Sequence, residues 1–338
     1  MSEANLAILY EHEEWFKPLF AELDRRGIVY DRLPAAEFGF DPRIRSSRYR
    51  LVVNRMSPSA YLRGHGSAIF FVREFLRHLE EIGVPVLNGS RAYQVETSKA
   101  LQLDIFERLG VNYPRARVIN HPAEAVAAAQ GLAYPVIIKP NIGGSGAKIQ
   151  RFEERAALAA AARSGTLDLG VDSVALVQEF LPARAGSIVR VEVMAGKFLY
   201  AIKIVPPAQG GFNLCPADIC QEDAGTKVAE PTAAPDFAFC PATEPARRTM
   251  QIEGYQPPGA IVEDALRIAR EAHLDIGGME YLINDRDGLP YFYDVNALSN
   301  FVTDAPRIVG FDPFPRFVDF IAARMEAARE PVLSATSR

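Results

Sequence analysis

The segment 134–139, YPVIIK, is a short apolar run that ends in Lys139, and residues 143–146 read Gly-Gly-Ser-Gly. A buried strand that delivers a lysine, followed by glycines whose N–H groups can approach a ligand closely, suits a polyphosphate. Gly143, Gly144, Ser145 and Gly146, with Lys148 behind them, form neither a GxxxxGK[ST] loop nor a GxGxxG turn opening a helix. They lie between two expected strands and read as a flap over phosphates or, equally, as a plain glycine hairpin. Asp294 and Asn296 are two residues apart and share one face of an expected strand, with Glu280 on the neighbouring strand of the same hairpin. Two carboxylates and an amide oxygen are hard ligands suited to Mg²⁺ shared with phosphates. An ion pair or an exposed strand face is the plainer alternative. The run 176–181, LVQEFL, is a strand ending in Gln178 and Glu179, with Phe180 and Leu181 after them. Such a hinge can pair backbone groups with an adenine edge and pack apolar side chains on its ring. Arg190 and Lys203 stand on the next two strands. Converging on one cleft, they would clamp a carboxylate or a phosphate, with surface charge as the alternative for each.

The elements that must position these residues follow from periodicity. Apolar runs at 6–10, 28–33, 51–54 and 84–87 read as strands, separated by an amphipathic stretch that carries Trp15, Phe16, Leu19, Phe20 and Leu23 and by a helix over 67–82. Strands alternating with helices predict a parallel α/β unit over 1–90. A helix over 92–109, a strand at 117–119, an Ala-rich helix over 121–130, strands at 134–139, 149–152 and 174–179 and a helix over 153–163 make a second, small α/β unit over 91–181. A strand pair at 189–194 and 197–205 opens the third unit, 182–338. A helix over 259–273, strands at 278–284 and 289–296 and a helix over 314–327 close it. Between them, 206–258 holds nine of the chain's 24 prolines and shows no period, so it reads as an irregular insertion.

The chain has 338 residues, of which 49% are hydrophobic and 23% charged, the range of an ordinary globular protein of two or three units. No apolar run reaches about 18 residues, which argues against a membrane span, and the N-terminal residues lack the pattern of a secretory signal. The net charge of -5, without an aromatic-interleaved basic motif, argues against a nucleic-acid partner. One stretch is basic: Arg43, Arg45, Arg48, Arg50, Arg55, Arg63, Arg73 and Arg77 face only Glu74 within their span. It reads as a solvated face or as a wall for an anionic substrate or carrier. Cys215, Cys220 and Cys240 are odd in number and lack CxxC spacing, as expected for reduced thiols of a cytoplasmic protein.

Taken in order, these pieces resemble the ATP-grasp superfamily, and within it the RimK-type glutamate ligases and their glutathione-synthetase-like relatives. Residues 70–114 share that family's rhythm: a helix, GVPVLNG, a helix bearing Lys99, then LGVNYP. The resemblance covers 50–205 and 259–325, and the joint order and spacing carry it. It implies an α/β (α+β) ATP-grasp fold behind an N-terminal parallel α/β pre-ATP-grasp domain. Lys99 and Lys139 match the two nucleotide-binding lysines, residues 143–148 the phosphate flap and Gln178, Glu179, Phe180 and Leu181 the adenine hinge. Arg190 matches the arginine that faces phosphates and substrate, with Lys203 assisting. Glu280, Asp294 and Asn296 match the magnesium set, implying ATP and two Mg²⁺ ions, with Mn²⁺ as a substitute. The implied activity is a carboxylate–amine ligation through an acylphosphate, releasing ADP and phosphate, on small amino-acid-like substrates. A peptide- or protein-tailoring ligase with a peptide or carrier partner, and a non-catalytic nucleotide-binding regulator, are the alternatives. Relatives suggest a homodimer. Two features depart from the family. Ile188 stands where an acidic residue for the ribose is usual, and VNxSPG is replaced by Val295, Asn296, Ala297, Leu298, Ser299 and Asn300. The acceptor is therefore open, and Arg55, Arg63, His65, Asn213 and Asn300 are candidate substrate contacts.

Overall fold

In the computed structural model, the first strands and helices wind a parallel sheet. Residues 4–144, 146–206, 212 and 250–328 are described. Ser145, Asn213, the three cysteines and most of the expected insertion lie outside the described residues. Strands β1 (Leu6–Tyr10), β2 (Tyr30–Pro34), β3 (Leu51–Arg55) and β4 (Val86–Leu87) stand in the order β2-β1-β3-β4, every pair parallel. Leu6, Ile8 and Tyr10 enter one core with helix α1 (Glu13–Arg25), while Ala7 and Leu9 enter another with α2 (Gly66–Glu81). Both faces are covered, so the strand is apolar without alternation.

The single helix expected over 92–109 is two helices, α3 (Ser90–Glu96) and α4 (Lys99–Leu109). Ser98 takes an extended backbone, and its hydroxyl accepts the Leu101 N–H at 3.2 Å, so a new helix starts at Lys99. The second sheet is antiparallel throughout: β5 (Ala116–Ile119), β6 (Val136–Pro140), β7 (Gln150–Phe152) and β8 (Ala175–Glu179) in the order β5-β8-β6-β7. The Ala-rich helix expected over 121–130 shortens to a 3-10 turn, Pro122–Glu124, and α5 (Ala125–Ala128). Together with α6 (Arg155–Ser164) it covers one face through Ala125, Leu158 and neighbours.

The third sheet has the order β11-β10-β9-β12-β13, built from β9 (Ala183–Met194), β10 (Lys197–Val205), β11 (Gln251–Tyr255), β12 (Ile276–Asn284) and β13 (Pro290–Asn296), with each adjacent pair antiparallel. β11 corrects the expectation of irregular chain up to 258. Its sequence, QIEGY, is mostly exposed and shows no apolar period, and pairing with β10 alone makes it a strand. Helices α4 and α7 (Gly259–Glu271) pack on one face of this sheet. Two more helices follow, α8 (Ala305–Val309) and α9 (Pro313–Ala327), and α9 joins α1 in the core. Among the described residues no helix is long and apolar enough to cross a membrane.

Candidate active site

Alternation along β9 separates two functions. Val189, Val191 and Val193 enter the core with α4 and α7, while Ile188, Arg190, Glu192 and Met194 share the opposite face. In the register, Glu280 of β12 lies between Arg190 of β9 and Asp294 of β13. A bulge makes this possible. Counting from the turn, Ile283 pairs with Pro290, Leu282 with Tyr291 and Tyr281 with Phe292, and then β13 inserts one extra residue. Without that residue Glu280 would face Tyr293, and Asp294 would turn toward the helices beside Met279. With it, Glu280 faces Asp294 and Gly278 faces Asn296.

Three cations converge on this row. Arg190 Nη1 donates to Glu280 Oε1 at 3.0 Å and its Nε to Glu192 Oε1 at 2.6 Å. Lys99 Nζ, from the start of α4, donates to Asp294 Oδ1 at 3.0 Å and to the Gly143 carbonyl at 3.3 Å. Lys139, from β6, reaches 3.9 Å from Asp294 Oδ1 and donates to the Tyr293 carbonyl at 3.2 Å. Burial pushes the Lys139 ammonium down to about 8, against the pull of Asp294. Burial also raises the Glu280 carboxyl, outweighing Arg190. Asp294 would be raised by burial too, but Lys139 and Lys99 outweigh it and hold its carboxyl below the usual range.

Among the described residues no three His, Cys, Asp or Glu side chains gather as a metal cage. The donor set is two carboxylates and the Asn296 amide, whose buried Nδ2 finds no partner. That set is too small for a closed site. It fits a hard cation that fills its remaining positions with phosphate oxygens and water.

All of this opens on a cavity of about 910 Å³. Lys99, Lys139, Gly143, Gly144, Gly146, Arg190, Glu280, Asp294, Asn296 and Asn300 line it, as do Gln178, Glu179, Phe180 and Leu181. The glycine turn lies against the loop after β3. A Cβ on Gly144 would come within 3.3 Å of Ser59 Cβ, and Gly146 sits at φ +65°. At the hinge, Glu179 Oε1 accepts the Ala133 N–H at 2.8 Å, and the Phe180 N–H goes to the Pro135 carbonyl at 2.9 Å. Arg151 covers the Phe180 ring at 4.1 Å.

Several expected residues lie elsewhere. Lys203 does not converge with Arg190. An uninterrupted hairpin from Met194 and Lys197 would pair Lys203 with Ile188, on the Arg190 face, but a bulge between Phe198 and Tyr200 pairs it with Val189 instead. It sits 3.4 Å from Glu253. Lys148 pairs with Asp168 at 2.8 Å and lies over the Tyr61 ring, outside the cavity lining. Arg63 and His65 both hold the buried Glu11, at 2.5 and 2.6 Å, and Arg63 lies over Trp15, which does line the cavity. Arg55 is buried between the Phe16 and Phe317 rings and donates to the Ser299 carbonyl. The arginine-rich stretch forms no single wall, because Arg43, Arg48 and Arg73 pair with Asp41, Asp31 and Glu74.

Two buried carboxylates were not anticipated. Glu96 lines the cavity and accepts the N–H groups of Ala297 and Leu298, and burial pushes its carboxyl up to about 7. Glu192 lies behind Arg190. Each carried a signal, since Glu96 stands on the apolar stripe of Ala92 and Tyr93 and Glu192 shares a face with Arg190 inside an otherwise apolar strand.

No protein-family model matches the chain. The carbamoyl phosphate synthase large chain of Rubrobacter xylanophilus is 28% identical over 160 residues, a match covering 45% of this chain and 15% of that relative. The chain thus spans only a small part of such curated relatives. Solved structures match almost end to end. The ATP-grasp ligase PsnB, complexed with a minimal precursor, superposes with a TM-score of 0.64 at 19% identity, covering 95% of this chain and 100% of that one. D-alanine–D-alanine ligase from Bacillus anthracis superposes with a TM-score of 0.65 at 13% identity, covering 97% and 99%. The chain has the ATP-grasp fold.

Proposed function

We propose that the protein is an ATP-dependent carboxylate–amine ligase. The observation that carries this reading is the row of buried Arg190 and Glu280 with half-buried Asp294, met by Lys99 and Lys139 beside the glycine turn in the lining of the cavity. Magnesium and ADP accompany PsnB in a related structure, which supports the same ligands here. A substrate carboxylate oxygen would attack the terminal phosphorus of ATP, releasing ADP and leaving an acylphosphate. An amine would then attack the acyl carbon, phosphate would leave, and one proton would be lost from nitrogen.

The residues have distinct parts in this. Lys99 and Lys139 would hold the phosphates, exchanging Asp294 for them. Glu280, Asp294 and Asn296 would hold magnesium, whose charge offsets that developing on the transferring phosphoryl group. Arg190 would lie against that group and against the tetrahedral intermediate. The glycine turn would exclude water, to which an acylphosphate is vulnerable. Trp15, Glu96, Asn300 and the loop after β3 line the remaining wall and would meet the carboxylate and the amine.

Chromatography of the nucleotide product tests the reading, with ATP, magnesium and a mixture of free amino acids and small carboxylic acids. ADP formed only with the mixture supports a small-molecule ligase. AMP would mean adenylation and would overturn the acylphosphate. Silence with the mixture but ADP with added peptides would assign a peptide substrate, the reading favoured by the likeness to PsnB bound to its precursor. ATP binding without product in either case would leave a nucleotide-binding protein.

A further inference from the structure

Glu192 is one of the most deeply buried charged groups among the described residues, 1% exposed, yet it does not line the cavity. A carboxylate taken out of water is costly unless it is paired, and its partner here is the arginine that does line the cavity. Arg190 Nε donates to Glu192 at 2.6 Å and Nη1 to Glu280 at 3.0 Å. Guanidinium donors lie in one plane, so carboxylates on two different nitrogens fix both the position and the tilt of that plane.

The strand beneath is shaped to receive it. Gly278 lies opposite Glu192 in the register. A Cβ there would come within 2.7 Å of Arg190 Nε and 2.8 Å of both Arg190 Nη2 and Glu192 Oε1. The guanidinium therefore packs closely against β12 at Gly278, where only glycine leaves room.

We propose that Glu192, with Gly278 as the seat, is a positioning residue that fixes the Arg190 guanidinium for the transferring phosphoryl group and leaves nucleotide affinity to the two lysines. This rests on the role proposed above for Arg190. A buried ion pair is by itself weak support for stability, since apolar replacements of similar volume are often as stable. Orientation of a working group gives such a pair a purpose.

The test needs no knowledge of the carboxylate or the amine. Calorimetry measures ADP affinity in the presence of magnesium, with and without aluminium fluoride as an analogue of the transferring phosphoryl group. Glu192→Gln keeps size and shape, Gly278→Ala perturbs the seat from the other strand, and Arg190→Lys reports on the arginine itself. The expected result is ADP affinity within about twofold of wild type in all three. The tightening by aluminium fluoride should fall about tenfold in Glu192→Gln and Gly278→Ala and vanish in Arg190→Lys. Wild-type tightening in the first two variants, with loss in Arg190→Lys, overturns the proposal alone. Wild-type tightening in Arg190→Lys overturns the role of Arg190 and with it the reading of the site. Equal weakening of ADP with and without the fluoride, alongside a lowered melting temperature, makes Glu192 a structural ion pair and also overturns the proposal.

Discussion

The two faces of the five-stranded sheet are built from the same strands and do opposite things. Toward α4 and α7 the sheet presents Val191, Val193, Met279, Tyr281, Phe292 and Val295, all buried. On the opposite face stand Arg190, Glu192 and Glu280, also buried, and the half-buried Asp294. The first face gains from dispersion and from apolar area removed from water. The second face also buries Ile188, Met194, Tyr200, Ile202, Ile204 and Leu282 in a core, but its charged row gains little from burial and is held by pairing, so that row is kept for what the charges do. Substitutions on the first face should therefore move stability, and substitutions in the charged row of the second should move chemistry.

Lys139→Met, which removes the β6 cation beside Asp294, is the largest expected blow to the charged row. Turnover of ATP should fall by about 100- to 1000-fold, while thermal unfolding shows a folded protein. Near-normal turnover would remove Lys139 from the phosphate site. Phe292→Ala is the mirror experiment on the helix face. It should cost about 3–5 kcal/mol in denaturant unfolding and leave the rate per folded molecule unchanged. A rate loss without a stability loss would break the contrast between the faces.

Lys139 also sharpens it through pH. Its folded pKa is pushed down to about 8, below the unfolded value of 10.5. Between these two values the unfolded chain binds the extra proton, so stability should rise with pH across this window. Below about pH 8 the buried charge is a constant cost. Relative to Lys139→Met, wild type should gain about 2–3 kcal/mol at most between pH 8 and 10.5. A flat difference would mean that Asp294 fully compensates the buried ammonium. The smallest effect belongs to Lys203→Ala. Since Lys203 lies on the helix-facing side beside Glu253, the rate should stay within about twofold of wild type. A large rate loss would return it to the cavity.

Much of the architecture was legible because it is local. The strand at 197–205 and the turn at Ala195 and Gly196 stand where the sequence put them. The run YPVIIK does end in a lysine that enters the cavity. What escaped was long-range. Nothing near Arg55 signals that its partner is the carbonyl of Ser299, or near Arg63 and His65 that both hold Glu11. The break between α3 and α4 was readable in Ser98, but the apolar period ran through it.

The sequence by itself determined which residues share a face within a strand: Arg190 with Glu192, and Asp294 with Asn296. Period two is a property of extended backbone and needs no partner. Only the tertiary structure decided which strands set those residues side by side. One inserted residue in β13 swings Asp294 across to Glu280, and one in β10 carries Lys203 away from Arg190. A slip of one residue exchanges the two faces of a strand, and the register is chosen by pairing and packing across the whole sheet, which no local window of sequence contains.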